Sequence, residues 1–171
     1  MFSEIFAHLH PIVVHFPIVM ITVALLYDLV FAFWKRSIKP ENGLWLWLIA
    51  AVGTWVSVAT GPDHDARGNT QYLHLHERLA DYTAWAVSIL VVFRLWMFLK
   101  ENKPIIKGIL IVYLLVSVAS CTLVLATGFY GGKMVYSDGI GVKVNGTAVN
   151  PSKAFNRKRN QNPLPSATPA P

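Results

Sequence analysis

The stretch Ile12-Val-Val-His15-Phe-Pro17-Ile-Val-Met-Ile-Thr22-Val-Ala-Leu-Leu-Tyr-Asp28-Leu-Val-Phe-Ala-Phe-Trp34 is apolar over almost its whole length. A hydrocarbon core about 30 Å thick needs roughly 20 such residues in a helix, so the segment reads as a transmembrane helix. Three further stretches read the same way: Leu44 to Thr60, Leu79 to Leu99 and Ile109 to Tyr130. The second is short but carries Trp45, Trp47 and Trp55, and tryptophan near a helix end suits the interfacial aromatic belt. Composition agrees: the chain is 54% hydrophobic and 14% charged, with a mean hydropathy of +0.44, values that belong to membrane proteins. The expected fold is an all-α membrane protein, a four-transmembrane-helix up-down bundle over residues 1–149, followed by an extended tail over 150–171.

The first segment lacks a basic n-region and a small-residue cleavage site and carries Pro17 and Asp28, so it is expected to be retained rather than removed as a signal peptide. Loop charge sets the expected orientation. Lys35, Arg36 and Lys39 follow the first segment, and Lys100, Lys103 and Lys107 follow the third, with Arg94 just inside. The loop after the second segment holds only Arg67, with Arg78 at the next helix start. The positive-inside rule then puts both termini outside, periplasmic or luminal, in a bacterial inner or photosynthetic membrane. The tail's Lys153, Arg157, Lys158 and Arg159 lie too far from the last segment for the rule to weigh them. The net charge of +6 suits anionic headgroups or an acidic partner and does not indicate nucleic acid.

All six histidines precede residue 77: His8, His10, His15, His64, His74 and His76. In an up-down bundle they share the outer face, where starts of the first and third helices meet ends of the second and fourth. Histidine is the commonest metal ligand and exchanges protons near neutral pH. Pro11 fits a first helical position. Pro17 denies the Val13 carbonyl its donor and should kink the helix. His15 then lies about 6 Å below the helix start, just inside the hydrocarbon.

Facing helices can supply axial imidazoles to haem b. His15 and His76 form the first expected pair, and His10 and His74 the second, with Arg67, Arg78 and Lys133 placed to meet propionates. Alternatively, His74, Glu77 and Asp81 share a helix face by i, i+3, i+7 spacing and with His15 could hold zinc, iron or manganese. Interfacial histidines can also simply bond headgroups or water, the plain reading for His8 and His64 above all. No histidine lies toward the lysine-rich face, so two haems stacked across the bilayer cannot both be ligated by this chain. Cys121 is the single cysteine, which excludes an internal disulfide and covalent c-type haem attachment.

Weak internal symmetry is visible. His15 precedes Thr22, and His76 precedes Thr83, each by seven residues, and the second and fourth helices end Ala59-Thr60-Gly61 and Ala126-Thr127-Gly128. Gly128 and Gly132 have GxxxG spacing, although glycines ending a helix are the simpler reading. Val142 to Val149, with Asn145-Gly146 inside, signals a small extramembrane hairpin with a type I′ turn. Asn145-Gly146-Thr147 is also a glycosylation sequon, meaningful only in a eukaryotic secretory setting. Residues 150–171 are basic and proline-rich and cannot bury a core alone. Phe155 and the basic cluster are expected to dock on a neighbouring subunit or a headgroup surface.

Leu9-His10-Pro11-Ile-Val-Val-His15-Phe-Pro17-Ile18 resembles the opening signature of the DUF2231 family of small four-helix bacterial membrane proteins. Ala126-Thr-Gly-Phe-Tyr-Gly-Gly132, with Val135-Tyr136 and Gly139-Ile-Gly-Val142, resembles its closing signature. The resemblance implies haem or redox association and carries over His10 and His15 as motif positions. No GxSxG, P-loop or HExxH motif competes. The leading expectation is a b-type haem electron-transfer protein or subunit, exchanging electrons with a periplasmic carrier or a quinone. The alternative is a non-catalytic accessory subunit of a larger membrane complex or homo-oligomer.

Overall fold

The computed structural model describes residues 9–61, 68–100 and 103–151. His8, His64, Arg67 and the tail beyond Pro151, with its expected docking, lie outside them. In chain order the elements are α1 (Leu9–Val13), α2 (His15–Lys35), β1 (Ser37–Ile38), α3 (Leu44–Ala59), α4 (Leu73–Lys100), β2 (Ile105–Ile106), α5 (Lys107–Tyr136), β3 (Lys143–Val144) and β4 (Thr147–Ala148). Helices α2, α3, α4 and α5 pack in a closed ring, each against its sequence neighbours, with α2 closing on α5. Helix α1 runs into α2 with a break at Val14, as expected where Pro17 cannot donate to the Val13 carbonyl.

The distribution of polarity is inverted relative to a water-soluble bundle. Ile12, Phe16, Val19, Val23, Leu26, Val30 and Phe33 recur at alternating three- and four-residue steps along α1–α2, and every one is exposed. Asp28, Arg94, Ser117, Ser120 and Thr83 are buried instead. The hydroxyls of Ser117, Ser120 and Thr83 donate to the carbonyls of Tyr113, Val116 and Leu79 in their own helices, so burial leaves them satisfied. Apolar side chains outward and satisfied polar ones inward is what a bundle in lipid requires.

Three segments are long and apolar enough to cross a membrane: Leu9–Lys35, Leu73–Lys100 and Lys107–Tyr136. Helix α3 is a shorter apolar helix of 16 residues, about 24 Å at 1.5 Å per residue. Its Ala50, Gly53, Thr54 and Ser57 form a buried small-residue face. A Cβ at Gly53 would stand 3.5 Å from the Pro17 ring, so the kinked part of α2 lies close against α3. Trp45 and Trp55 are exposed, whereas Trp47, read from sequence as part of an interfacial belt, is fully buried.

Both long later helices exceed their expected limits. Helix α4 starts six residues earlier than Leu79, at Leu73, which makes His74, His76 and Glu77 helical. Helix α5 continues through Gly128, Gly131 and Gly132 to Tyr136, so these glycines do not end it. The helix closes instead at Gly139 (φ +68°), whose N–H donates to the Val135 carbonyl in the left-handed manner glycine allows. The expected hairpin is present: Lys143 pairs with Ala148 and Val144 with Thr147. Asn145 (φ 50°) and Gly146 (φ 78°) both take positive φ, as a type I′ turn demands.

Each end of the bundle is tied differently. At one end β1 and β2, from the connections after α2 and after α4, pair antiparallel and bury Ile38 and Ile105. At the other, the Asn150 side chain accepts from the Asn69 N–H and donates to the carbonyls of Asn69 and Asp138. The Thr70 hydroxyl donates to the Asp138 carboxylate. Asn150 thereby ties the chain after the hairpin to Asn69 before α4 and to Asp138 after α5.

Candidate functional site

The histidine end of the bundle gathers the starts of α1 and α4 and the ends of α3 and α5. His76 lies on the first turn of α4. Its Nδ1–H donates to the Thr127 carbonyl of α5 at 3.0 Å. A carbonyl only accepts, so the contact puts a proton on Nδ1 and leaves Nε2 as the nitrogen turned away from Thr127. Gly131, one turn beyond Thr127, leaves room for the ring: a Cβ there would stand 3.2 Å from His76 Cε1. His10, at the start of α1, approaches the Thr60 hydroxyl at the end of α3 at 3.5 Å. The two imidazoles then meet. Their centroids are 6.5 Å apart with planes at 82°.

The ring that meets His76 is thus His10. His15, expected as its partner, is exposed and turns its Nδ1 back across the break to the Pro11 carbonyl of α1 at 2.7 Å. That carbonyl sits in the distorted turn before Pro17, and the imidazole supplies it with a donor. His74, expected opposite His10, projects outward with 84% of its side chain exposed, 4.0 Å from the Glu77 carboxylate. Glu77 is partly buried, Asp81 and Arg78 are exposed, and Lys133 stacks on the rings of Tyr72 and Phe129 at 5.1 Å each. Among the described residues, no group of three or more His, Cys, Asp or Glu side chains converges as a metal-ion site. The set of His15, His74, Glu77 and Asp81 is not brought together.

The internal symmetry has a structural counterpart in a different register. His10 reaches Thr60 across 50 residues of chain, and His76 reaches Thr127 across 51. In both halves a histidine near a helix start contacts the threonine of an Ala-Thr-Gly, at the end of α3 in one half and inside α5 in the other.

A second polar centre, not anticipated from sequence, lies toward the lysine end. Arg94 of α4 and Asp28 of α2 are both fully buried. Arg94 Nη1 lies 3.0 Å from each Asp28 carboxylate oxygen. Trp47 Nε1–H donates to the same carboxylate at 2.7 Å, and the Tyr113 hydroxyl donates to it as well. The guanidinium also donates to the carbonyls of Lys39, Pro40 and Asn42 in the α2–α3 connection. Four helices and one loop thereby share one ion pair. An isolated Asp and an isolated Arg inside apolar segments were the available signal, since intramembrane charges pair or fail.

The described fold defines an all-α membrane protein. Within that class, the chain belongs to DUF2231, a family of predicted membrane proteins, which it matches over residues 7–144. The resemblance of the opening and closing motifs is borne out. No curated protein and no solved structure matches it.

Proposed function

We propose that this chain is an integral membrane b-type haem protein or haem-bearing subunit, with its site at the histidine end, where His10 and His76 would hold the haem. The observation that supports this reading is the spacing of the two rings. Their ring centres stand 6.5 Å apart at one end of the bundle, so the two imidazoles would be the residues to hold the group. The Nδ1 contact of His76 with a backbone carbonyl is the outer-shell arrangement that orients a ligating imidazole. A haem needs only two protein ligands, which suits a pair where no group of three converges among the described residues. When bound, the haem supplies one-electron exchange. His10 and His76 would hold it, Thr127 and Gly131 set the angle of His76, and Lys133 would be on the same end for a propionate.

On this reading the end faces outward, with four spans and both termini periplasmic or luminal, as the loop charge supports. The partner is then a quinone or a periplasmic electron carrier. A reduced-minus-oxidised spectrum of the purified chain tests the reading. A b-type band that disappears in His10→Gln and in His76→Gln, and persists in His15→Gln, is expected. No Soret band and no bound iron in the native chain would end it.

A second reading is a non-catalytic accessory subunit. It is favoured by the outer hairpin, where Val144 and Val149 are 58% and 55% exposed beyond the bundle. Under that reading His10→Gln and His76→Gln leave partner assembly and activity intact.

A further inference from the structure

We propose that the groove between α4 and α5 at the lysine end is a binding site for one anionic phospholipid. The groove encloses about 530 Å³. Ile89 and Phe93 of α4 and Ile109, Val112 and Val116 of α5 line its walls. Its Tyr113 is held from behind by Asp28 and Arg94, so that part of the wall is fixed. Gly108 stands at one end, and a Cβ built there would meet nothing within 4 Å. From Gly108 to Val116 the helix advances about 12 Å, close to the roughly 15 Å depth of one leaflet's hydrocarbon. That is the dimension of a single acyl chain lying along the helices.

The rim is cationic where the groove opens. Lys107 adjoins Gly108. Lys100 ends α4 seven residues past Phe93, hence on nearly the same face, with its ammonium 5.2 Å from the Trp96 ring. Arg36 and Lys107 flank the β1–β2 pairing, each beside a paired residue and each with left-handed backbone. Both are exposed, and neither has an ion-pair partner among the described residues. A phosphate at the mouth would meet these cations and gain from their charge. Charge complementarity at the mouth and an apolar channel one leaflet deep select a lipid with a net negative headgroup. A zwitterionic lipid fits the channel but lacks the net charge.

Native mass spectrometry of the full chain, released from mild detergent and offered equal amounts of phosphatidylglycerol and phosphatidylcholine with identical acyl chains, tests this. The native chain should retain phosphatidylglycerol at least fivefold better. With about fivefold for each headgroup-level cation, Lys100→Gln/Lys107→Gln should lower that retention about 25-fold. Gly108→Leu, which blocks the mouth with both lysines intact, should lower retention of both lipids. Equal retention of the two lipids by the native chain overturns the proposal. So does unchanged selectivity in the lysine variant, which would assign the adducts to non-specific annular lipid.

Discussion

Asp28 and Arg94 form a fully buried ion pair across 66 residues of sequence, with Nη1 3.0 Å from both carboxylate oxygens. Neither charge has an escape to water, and each depends on the other for its presence inside the bundle. Removing one partner of such a pair leaves an uncompensated buried charge, at a cost of about 3–5 kcal/mol. Arg94→Gln and Asp28→Asn should each lower the detergent-solubilised melting temperature strongly. The double variant should lose less than the sum of the two, because neither charge is then stranded. Strict additivity in that thermodynamic cycle would mean that the pair does not act as a unit.

Two glycines of α5 should respond oppositely to alanine. At Gly128 a Cβ meets Ile18 Cδ1 at 3.7 Å, an ordinary contact, and the helix gains about 1 kcal/mol of propensity. At Gly131 the same atom lies 3.2 Å from His76 Cε1, so the ring must tilt or the helices part. Gly128→Ala should be neutral or stabilising. Gly131→Ala should shift the NMR resonance of the His76 Cε1 proton and offset its propensity gain with strain. An unmoved His76 resonance would show that the ring is not held against Gly131.

The outer cap hangs on Asn150. Its side chain makes three hydrogen bonds, one accepted and two donated. At about 0.5–1.5 kcal/mol net for each bond, Asn150→Ala should free the cap locally by about 2–3 kcal/mol while the bundle stays folded. Hydrogen exchange should quicken at Asn69 and across residues 138–149 and remain slow in α2 and α4. Uniform acceleration, or none, would argue against a local latch.

Orientation is decided by labelling with a membrane-impermeant thiol reagent in intact cells, on a Cys121→Ala background. Thr147→Cys lies in the exposed outer hairpin and Ser37→Cys at the lysine end. Labelling of Thr147→Cys alone is expected from loop charge. The reverse pattern would place the histidine end inside and move the proposed haem to the other leaflet.

The sequence by itself determined the elements whose cause is local. Apolar length specified the helices, because a bilayer dictates it. Pro17 specified the break near Val14, and Asn145-Gly146 specified the hairpin, because each follows from backbone sterics within a few residues. The histidine end was legible as a region, since up-down connectivity places helix starts and ends together. Its membership was not. Helical periodicity fixes the face of a helix a residue occupies but not the rotation of that helix against its neighbours. Only packing revealed that His10 faces His76 while His15 serves the Pro11 carbonyl and His74 points outward. The Asp28–Arg94 pair shows the same division. Each charge was plain in the chain, yet their meeting depends on α2 and α4 setting the two side chains at one depth across the helix ring. That depth is set by tertiary packing: by Trp47, by Tyr113 and by three carbonyls of the α2–α3 connection.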